Sequence, residues 1–591
     1  MNLITEHLDI WTAAQTPKAN GGRGRGKNKN GQTSYGIKKL RELILELAVR
    51  GKLVPQDPND EPASVLLEKI TKEKARLIKE GKIKKQKRLP EIGEDEVPYK
   101  TPESWEWTRL GILGDWGAGA TPSRKNPAYY GGKMPWLKSG ELRDNEHLSD
   151  SEETVTKEAL ESCSLRICQP GDVLIAMYGA TIGMLAIVEN IVTTNQAVCA
   201  CTCNCGVFNR YLFLMLKAWR AQLAGQGAGG AQPNISKVKI TNTIAPLPPL
   251  AEQNRIVTKV DELMTLCDQL EQQQTDSNAT HQILVETLLA TLTNAADQKE
   301  FSEAWQRIAD HFDTLFTTEQ RIDHLKQTIL QLAVMGKLVP QDPNDEPASV
   351  LLEKIAKEKA RLIKEGKIKK QKPLPDNTRE EKPFELPRGW DWEHLGNIAI
   401  LKGGFAYKSS VFSDSGEHQV IRMGNIRPDY FRLDERPVFI RADLAEETSE
   451  YQIEPNDILV TMTGTKGKRD YLYSLIVQSE HLEKRKLFLN QRLCIVRGLL
   501  LVFDFLNMLI KDDRFLDAIY EQSTGTANQA NIGMVALNNW ILPVPPIQEQ
   551  HRIVAKVDEL MALCDNLKAR LNDAQAIQMA FADAILEKAV A

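Results

Sequence analysis

No run of about eighteen consecutive apolar residues occurs anywhere in the 591-residue chain, so no segment is expected to span a membrane as a helix. The opening "MNLITEHLDIWTAAQTPKANGGRGRGKNKNGQ" lacks a continuous apolar core and a cleavage site, so no signal peptide is read. The nine cysteines have no framework spacing, which sets aside a disulfide-stapled secreted domain and fits a reducing cytoplasm. A net charge of −4 rules out a uniformly basic protein, although a local basic face stays open. No GxxxxGK[ST] loop is present, so no NTPase is visible. An adenine methyltransferase would need an Asp/Asn-Pro-Pro-aromatic motif, but the Pro-Pro pairs here stand in "PLPPLAE" and "PVPPIQE", before Leu and Ile. They read as the punctuation of a helix start.

What the chain does have is itself, twice. Residues 51–87 recur as residues 336–372, and Thr71 is the one position that changes, to Ala356. The offset of 285 persists outward: Leu40, Ile44 and Leu47 match Leu325, Ile329 and Leu332, and Trp105 and Trp107 match Trp390 and Trp392. "GDVLIAMYG" (Gly171–Gly179) matches "NDILVTMTG" (Asn456–Gly464) at the same spacing. Asn195-Gln196 then pairs with Asn490-Gln491 at 295, and "PPLAEQNRIVTKVDELMTLCDQL" with "PPIQEQHRIVAKVDELMALCDNL" at 297. One unit of nearly 300 residues is written twice, within a length that suggests about three to five compact units in all.

Two kinds of segment are nearly identical between copies, and both read as helical. Ala63–Lys82 follows the turn-rich "PQDPNDEP", which offers Asp60 or Ser64 as an N-cap. The second kind begins after Pro-Pro and spaces Ile256, Val260, Leu263, Cys267 and Leu270 by 4, 3, 4 and 3. Ile553, Val557, Leu560, Cys564, Leu567 and Leu571 repeat that seam, which suits pairing with another helix. A helix of roughly 40 residues would reach about 60 Å. Few aromatics and the polar "EQQQTDSNATHQ" favour an exposed coiled coil over two ordinary core helices.

Between the helices lie unlike regions, about 101–246 and 386–543, rich in strand-like runs such as "DVLIAMY", "GMLAIV", "AVCACTC", "DILVTMT" and "RLCIVRG". Their landmarks survive while most other letters differ. A shared scaffold with rewritten loops suggests two sites of one kind that read different targets.

"GDVLIAMYGATIG", "TTNQAV", "GAQPNISKVKI" and "PLPPLAEQNRIV", with their second-half partners, resemble the specificity subunit of type I restriction–modification systems. The repeated "GKLVPQDPNDEPAS" looks most like the type IB branch. The resemblance implies an α/β (α+β) fold class: two pseudo-repeated mixed α/β target recognition domains, joined by long conserved helices that form an antiparallel coiled coil. The expected division is a disordered basic arm at 1–35, a helical region at 36–100, the first recognition domain at 101–246 and a central helical region at 247–385. The second recognition domain follows at 386–543 and a C-terminal helix at 544–591. The implied function is non-catalytic recognition of a bipartite DNA target, directing adenine methylation or cleavage. The implied partners are double-stranded DNA, two modification (methyltransferase) subunits and, through them, restriction (translocase/nuclease) subunits. This chain would bind no cofactor itself; AdoMet would belong to the modification subunits, ATP and Mg2+ to the restriction subunits. A coiled-coil tether joining two protein-binding domains is the alternative.

DNA contact needs phosphate anchors and base readers. The first variable region supplies Thr121, Ser123, Arg124 and Lys125 in "GAGATPSRKN", and Lys138 and Glu141 in "WLKSGEL". Tyr178 and Thr181 stand in "MYGAT", and Gln232 and Asn234 close a Gly-rich turn. The second supplies Lys402, Tyr407 and Lys408 in "KGGFAYKSS", and Arg422 and Asn425 in "RMGNIR". Thr463, Lys466, Lys468 and Arg469 follow in "TGTKGKRD", then Asn528 and Gln529 in "GTANQAN". Arg or Lys suits guanine, Asn or Gln suits adenine, and Glu suits the cytosine amine. Asn195 and Asn490 recur in both copies and are read as structural. Gly225, Gly227 and Gly230 spell GxGxxG but follow a helical run, so they read as a loop and not a dinucleotide site. Asp60 with Glu80-Gly81-Lys82 mimics a nuclease carboxylate set, but on a Lys/Glu-laced helix it reads as a solvated face. Cys199, Cys201, Cys203 and Cys205 alternate, which on one strand points all four to one side; the spacing is not that of zinc pairs.

Overall fold

The computed structural model describes residues 6–14, 34–81, 88–225, 234–375, 382, 384–428, 430–525 and 528–590. The chain divides into two compact units, Met1–Ala279 with Asn572–Ala591, and Thr280–Leu571. The last twenty residues therefore belong with the first unit. Among the described residues no helix is long and apolar enough to cross a membrane.

Unit 1 opens with helix α1 (Leu8–Ala13) and α2 (Tyr35–Val49), capped by Ser34, whose side chain accepts from Ile37 N. The reading of residues 1–35 as disordered fails at 6–14. Trp11 is fully buried in the unit 1 core, and an indole hides 150–250 Å² from water, enough to hold a short helix down. Gly36 makes the contact possible: its N–H donates to Ala14 O at 2.9 Å, and a Cβ there would meet Trp11 O at 2.1 Å. The "GGRGRGKNKNG" stretch lies outside the described residues.

The repeated segment turns out to be a fastening. Gln56 Nε2 donates to Glu252 Oε1 (2.6 Å) and Trp105 Nε1 to Glu252 Oε2 (2.9 Å), while Asp60 pairs with Arg255. In unit 2 Gln341 and Trp390 do the same to Glu549 at 2.8 and 3.0 Å, and Asp345 pairs with Arg552. One segment thus ties the first turn of a long helix to the tryptophan at the entrance of a variable region. Helix α3 (Ala63–Lys79) and its twin begin after Pro62 and Pro347, with no side-chain cap. Asp60 and Ser64 are not N-caps, because backbone does the work: Ala63 N donates to Ser104 O and Ala348 N to Gly389 O. Glu252 and Glu549 are buried, and burial pushes their carboxyls above the ordinary range against the pull of the Trp and Gln hydrogen bonds. A carboxyl raised on folding contributes stability that is fully present below its unfolded value and is lost as pH rises through its folded value. Converting both to Gln should flatten the stability–pH curve from the ordinary glutamate value upward. Urea unfolding across pH checks this, and an unchanged curve would count against it.

The variable regions are closed by their own ends. Helix α4 (Asn209–Ala218) lies within the first, whose entry strand Glu106–Arg109 pairs antiparallel with its exit strand Ile244–Leu247. Asp391–His394 pairs with Ile541–Val544 in the same way. Inside the first, a five-stranded sheet runs Gly114–Ala118, Val198–Cys203, Val173–Ala176, Leu185–Val188, Asn145–Leu148. Val173–Ala176 and Leu185–Val188 are buried on both faces, which is why they read as unbroken apolar runs. Ile458–Thr461 and Ser474–Ile476 are their counterparts in unit 2. The alternating cysteines do not share one strand. It ends at Cys203, Cys199 and Cys201 sit in the core, and Cys205 is exposed in the following turn.

From the exit strands the chain enters α5 (Leu250–Asn294, 45 residues). Unit 2 continues through α6 (Glu319–Val334), α7 (Ala348–Lys364), α8 (Phe503–Lys511) and α9 (Asp513–Glu521) to α10 (Ile547–Val590, 44 residues). The expected seam is buried at Ile256, Val260, Leu263 and Cys267, and at Ile553, Val557, Leu560 and Cys564. In unit 1 it packs with α2, where Arg41 reaches Asp268 and Glu271 and Tyr35 donates to Asp583 near the end of α10. In unit 2 Lys568 of α10 reaches Asp323 of α6, and Val285, Leu289 and Leu292 of α5 join that core. Each long helix starts in one unit and ends in the other.

Candidate nucleic-acid interface

Both variable regions build the same corner. A strand ending at Leu137 or Ile421 pairs in parallel with one ending at Thr194 or Leu489. A single 3-10 turn follows the first strand, Ser139–Glu141 or Met423–Asn425, and the Asn-Gln pair follows the second. Asn195 N donates to Leu137 O (2.9 Å) and Asn490 N to Ile421 O (3.1 Å). Their side-chain oxygens accept from Ala197 N and Gln491 N, so both asparagines shape backbone, as expected. Gly404 fits beneath: a Cβ there would lie 2.1 Å from Asn490 O.

In unit 1 the corner is charge-balanced. Arg124, on the exposed "SRKN" loop with Ser123 and Lys125, pairs with Glu153 (2.8 Å) and lies over the Tyr130 ring. Lys138 reaches the same Glu153 at 3.0 Å, and Glu141 accepts from Lys138 N and Glu152 N. The Arg124 hydrogen bond, then that of Lys138, holds Glu153 below the ordinary carboxylate range. Thr121 donates to Gln196, which brings the first loop onto the Asn-Gln turn. Tyr178, half exposed, bridges to Asn234, while Thr181 donates to Tyr178 O. Gln232 and most of the GxGxxG run fall outside the described residues.

Unit 2 departs further from expectation. Tyr407 is buried and donates to Thr448 Oγ1 (2.9 Å), so it belongs to a small core rather than to a reading loop. Asn425 is buried too; it accepts from Arg422 N and donates to Arg432 O, closing the 3-10 turn. Thr463 is buried and donates to Asn531 Oδ1 (2.9 Å), stapling its strand to the Gly-rich segment. All three side chains are engaged within the protein in this conformation. Lys402 lies over Tyr451 and pairs with Glu450, and Arg469 pairs with Asp513 and Asp517. Lys408, Lys466, Lys468 and Asn528 are exposed, and Gln529 is partly so.

Beyond the expected Arg422 and Asn425, sequence reading passed over Arg427, Arg432, Arg436 and Arg492, which line with them and Glu435 a concavity of about 470 Å³ beside the Asn490-Gln491 turn. Arg432 pairs with Glu435, and Arg422 donates to Arg436 O. Arg436 and Arg492 have no side-chain partner among the described residues. The signal was in "RMGNIRPDYFRLDER", where an arginine recurs every four or five residues. Five guanidiniums against one carboxylate make an anion-binding face, suited to phosphate or to guanine edges. Among the described residues no group of His, Cys, Asp and Glu is placed to hold a metal.

The chain matches the family model of the type I restriction modification DNA specificity domain twice, over residues 102–277 and 387–575. Over its whole length it is 40% identical to the type I restriction enzyme EcoAI specificity subunit of Escherichia coli, covering 99% of that protein. It is 39% identical to the EcoEI specificity subunit of Escherichia coli, again covering 99%. Among solved structures it is similar to the HsdS subunit from Thermoanaerobacter tengcongensis, at 18% identity over 83% of this chain and 98% of that one, with a TM-score of 0.40.

Proposed function

Because the chain belongs to the specificity subunits of type I restriction–modification systems, non-catalytic DNA-recognition components, we propose that its two variable regions each read one block of a split DNA target. The observation that carries this is the duplicated corner, built on the same parallel strand pair and Asn-Gln turn but furnished with unlike charges. In the first region Arg124, Lys138, Glu141, Tyr178 and Asn234 face the DNA, with Thr121, Ser123 and Lys125 beside them. In the second the arginine concavity reads or clamps, and Lys402, Lys408, Lys466, Lys468, Asn528 and Gln529 contribute further contacts.

Anchors and readers separate by experiment. Replacing Lys466 and Lys468 by Ala should flatten the salt dependence of binding, by about 0.9 in log–log slope per lost phosphate contact, with the preferred sequence kept. Replacing Arg436 and Arg492 should cost about 1–3 kcal/mol at a guanine of the second block. Binding titrations over salt, with matched and single-mismatch duplexes, read both. If the lysine pair changed base preference and the arginine pair did not, the roles would be reversed.

Modification subunits dock on the helices. Apolar side chains stay exposed there at corresponding positions, Leu266 and Phe581 in unit 1 and Leu563 and Leu284 in unit 2, as two copies of one partner would require. AdoMet is bound by those subunits, and ATP and Mg2+ by restriction subunits joined through them, in the cytoplasm. Supplied with AdoMet, ATP and Mg2+, the purified chain alone should neither methylate nor cleave DNA, and adding modification subunits should start adenine methylation at a two-block site. Turnover by the chain alone would overturn this.

A further inference from the structure

The two units differ at one place where their chemistry ought to match. In unit 1, Arg210 of α4 lies between Asp261 of α5, with Nη1 2.9 Å from Oδ2, and Glu146. Contacts fix its counterpart in unit 2. Phe208 N donates to Gln253 as Val502 N does to Gln550, and Tyr211 meets Trp105 edge-on as Phe505 meets Trp390. Both correspondences are 294 residues apart, so Arg210 becomes Asp504, while Asp261 remains an aspartate, Asp558. A cation has been replaced by an acid and its partner acid has stayed.

The same shift turns the fully buried Phe213 into Asn507, whose Oδ1 is buried without a hydrogen-bond partner among the described residues. Ser474, 1% exposed, has an equally orphaned hydroxyl. Asp504, Asp558, Asn507 and Ser474 line one cavity of about 480 Å³, with Met508 and Met561 among its apolar walls. Burial first, then the charge of Asp558, pushes the Asp504 carboxyl above its ordinary range. The cations on the lining have partners of their own, Lys326 with Asp565, Arg469 with Asp513 and Asp517, and Lys511 with Pro428 O. Asp504 is half-buried and Asp558 exposed, and beside them two buried polar atoms lack a partner, an acceptor-rich lining that a cation would complete.

We propose that this cavity binds a cationic head on a hydrocarbon stem, an alkylguanidinium or alkylammonium. The head takes the place Arg210 fills in unit 1, donating to Asp504, Asp558 and the Asn507 carbonyl, and the stem lies against the two methionines. Such heads carry three to five donors and no acceptor, which fits an acceptor-rich pocket. The group is either a free small cation or an arginine or lysine side chain of a partner protein.

The test is calorimetric titration of the full chain with agmatine, using three further chains: D504N/D558N, D504R and, as control, D261N. One agmatine per chain should bind to the parent and to D261N, and at least tenfold more weakly to D504N/D558N. The D504R chain should bind none and melt a few degrees higher, because its own guanidinium now pairs with Asp558. Binding that survives in D504N/D558N, or a D504R chain that melts below the parent, overturns the proposal. Repeating the titration on the complex with modification subunits separates the sources. Retained binding identifies a free ligand, and lost binding identifies a partner side chain already in place.

Discussion

Exchanging residues 101–246 for the corresponding region of another specificity subunit will change one block of the DNA target and leave the other block and the gap untouched. The region can be exchanged because its entry and exit strands pair with each other, so the graft begins and ends on one ladder. Its loops contribute every unit 1 residue assigned to DNA, and none of the arginine concavity belongs to it. Each wrong base pair costs about 1–3 kcal/mol, so three mismatches in the old block suppress its recognition by roughly two to six orders of magnitude. Methylation of reporter duplexes carrying old and new blocks in both positions reads the result. A graft that altered both blocks would mean that the regions do not read independently.

Truncating Trp390 to Ala will cost about 3–5 kcal/mol, the range for deleting a large buried aromatic, and will loosen unit 2. The indole is buried against Phe505 and also donates to Glu549, so the change opens a cavity and strips a buried carboxylate of a donor. Trp390→Phe separates the two effects, since it keeps most of the volume and loses only the donor, at about 1–3 kcal/mol. Hydrogen exchange resolved by segment is the right readout, because a chain of two units need not unfold in one step. Protection should fall in Ala348–Lys364 and Ile541–Val544. Equal losses for Phe and Ala would mean the hydrogen bond dominates, and no loss for either would remove the fastening from the account.

The long helices, their seam and the core strands were legible because their periodicity is local: 4, 3, 4, 3 along Ile256 to Leu270, and unbroken apolar runs at Val173–Ala176 and Ile458–Thr461. The structural part of Asn195 and Asn490 was legible because the repeat supplied a second witness. Partners distant in sequence were not. Nothing near Gln56 announces Glu252, 196 residues on, so the repeated segment looked like a helix lead-in and proved to be a clamp. Tyr407, Asn425 and Thr463 were misplaced for a related reason. A polar or aromatic residue in a Gly-rich loop looks exposed, whereas Tyr407 and Thr463 find partners 41 and 68 residues away and Asn425 is buried in closing its own turn. Trp11 was overlooked because it stands beside a long Gly/Lys/Arg-rich stretch that swamps a six-residue helix.

Mapping every N6-methyladenine on DNA modified by the chain together with its modification subunits puts the central claim to the test. Two independent readers on one chain predict a single motif of two short specified blocks around an unspecified gap of fixed length, with a methylated adenine in each block and none elsewhere. One contiguous motif, or a gap that varies from site to site, would contradict it.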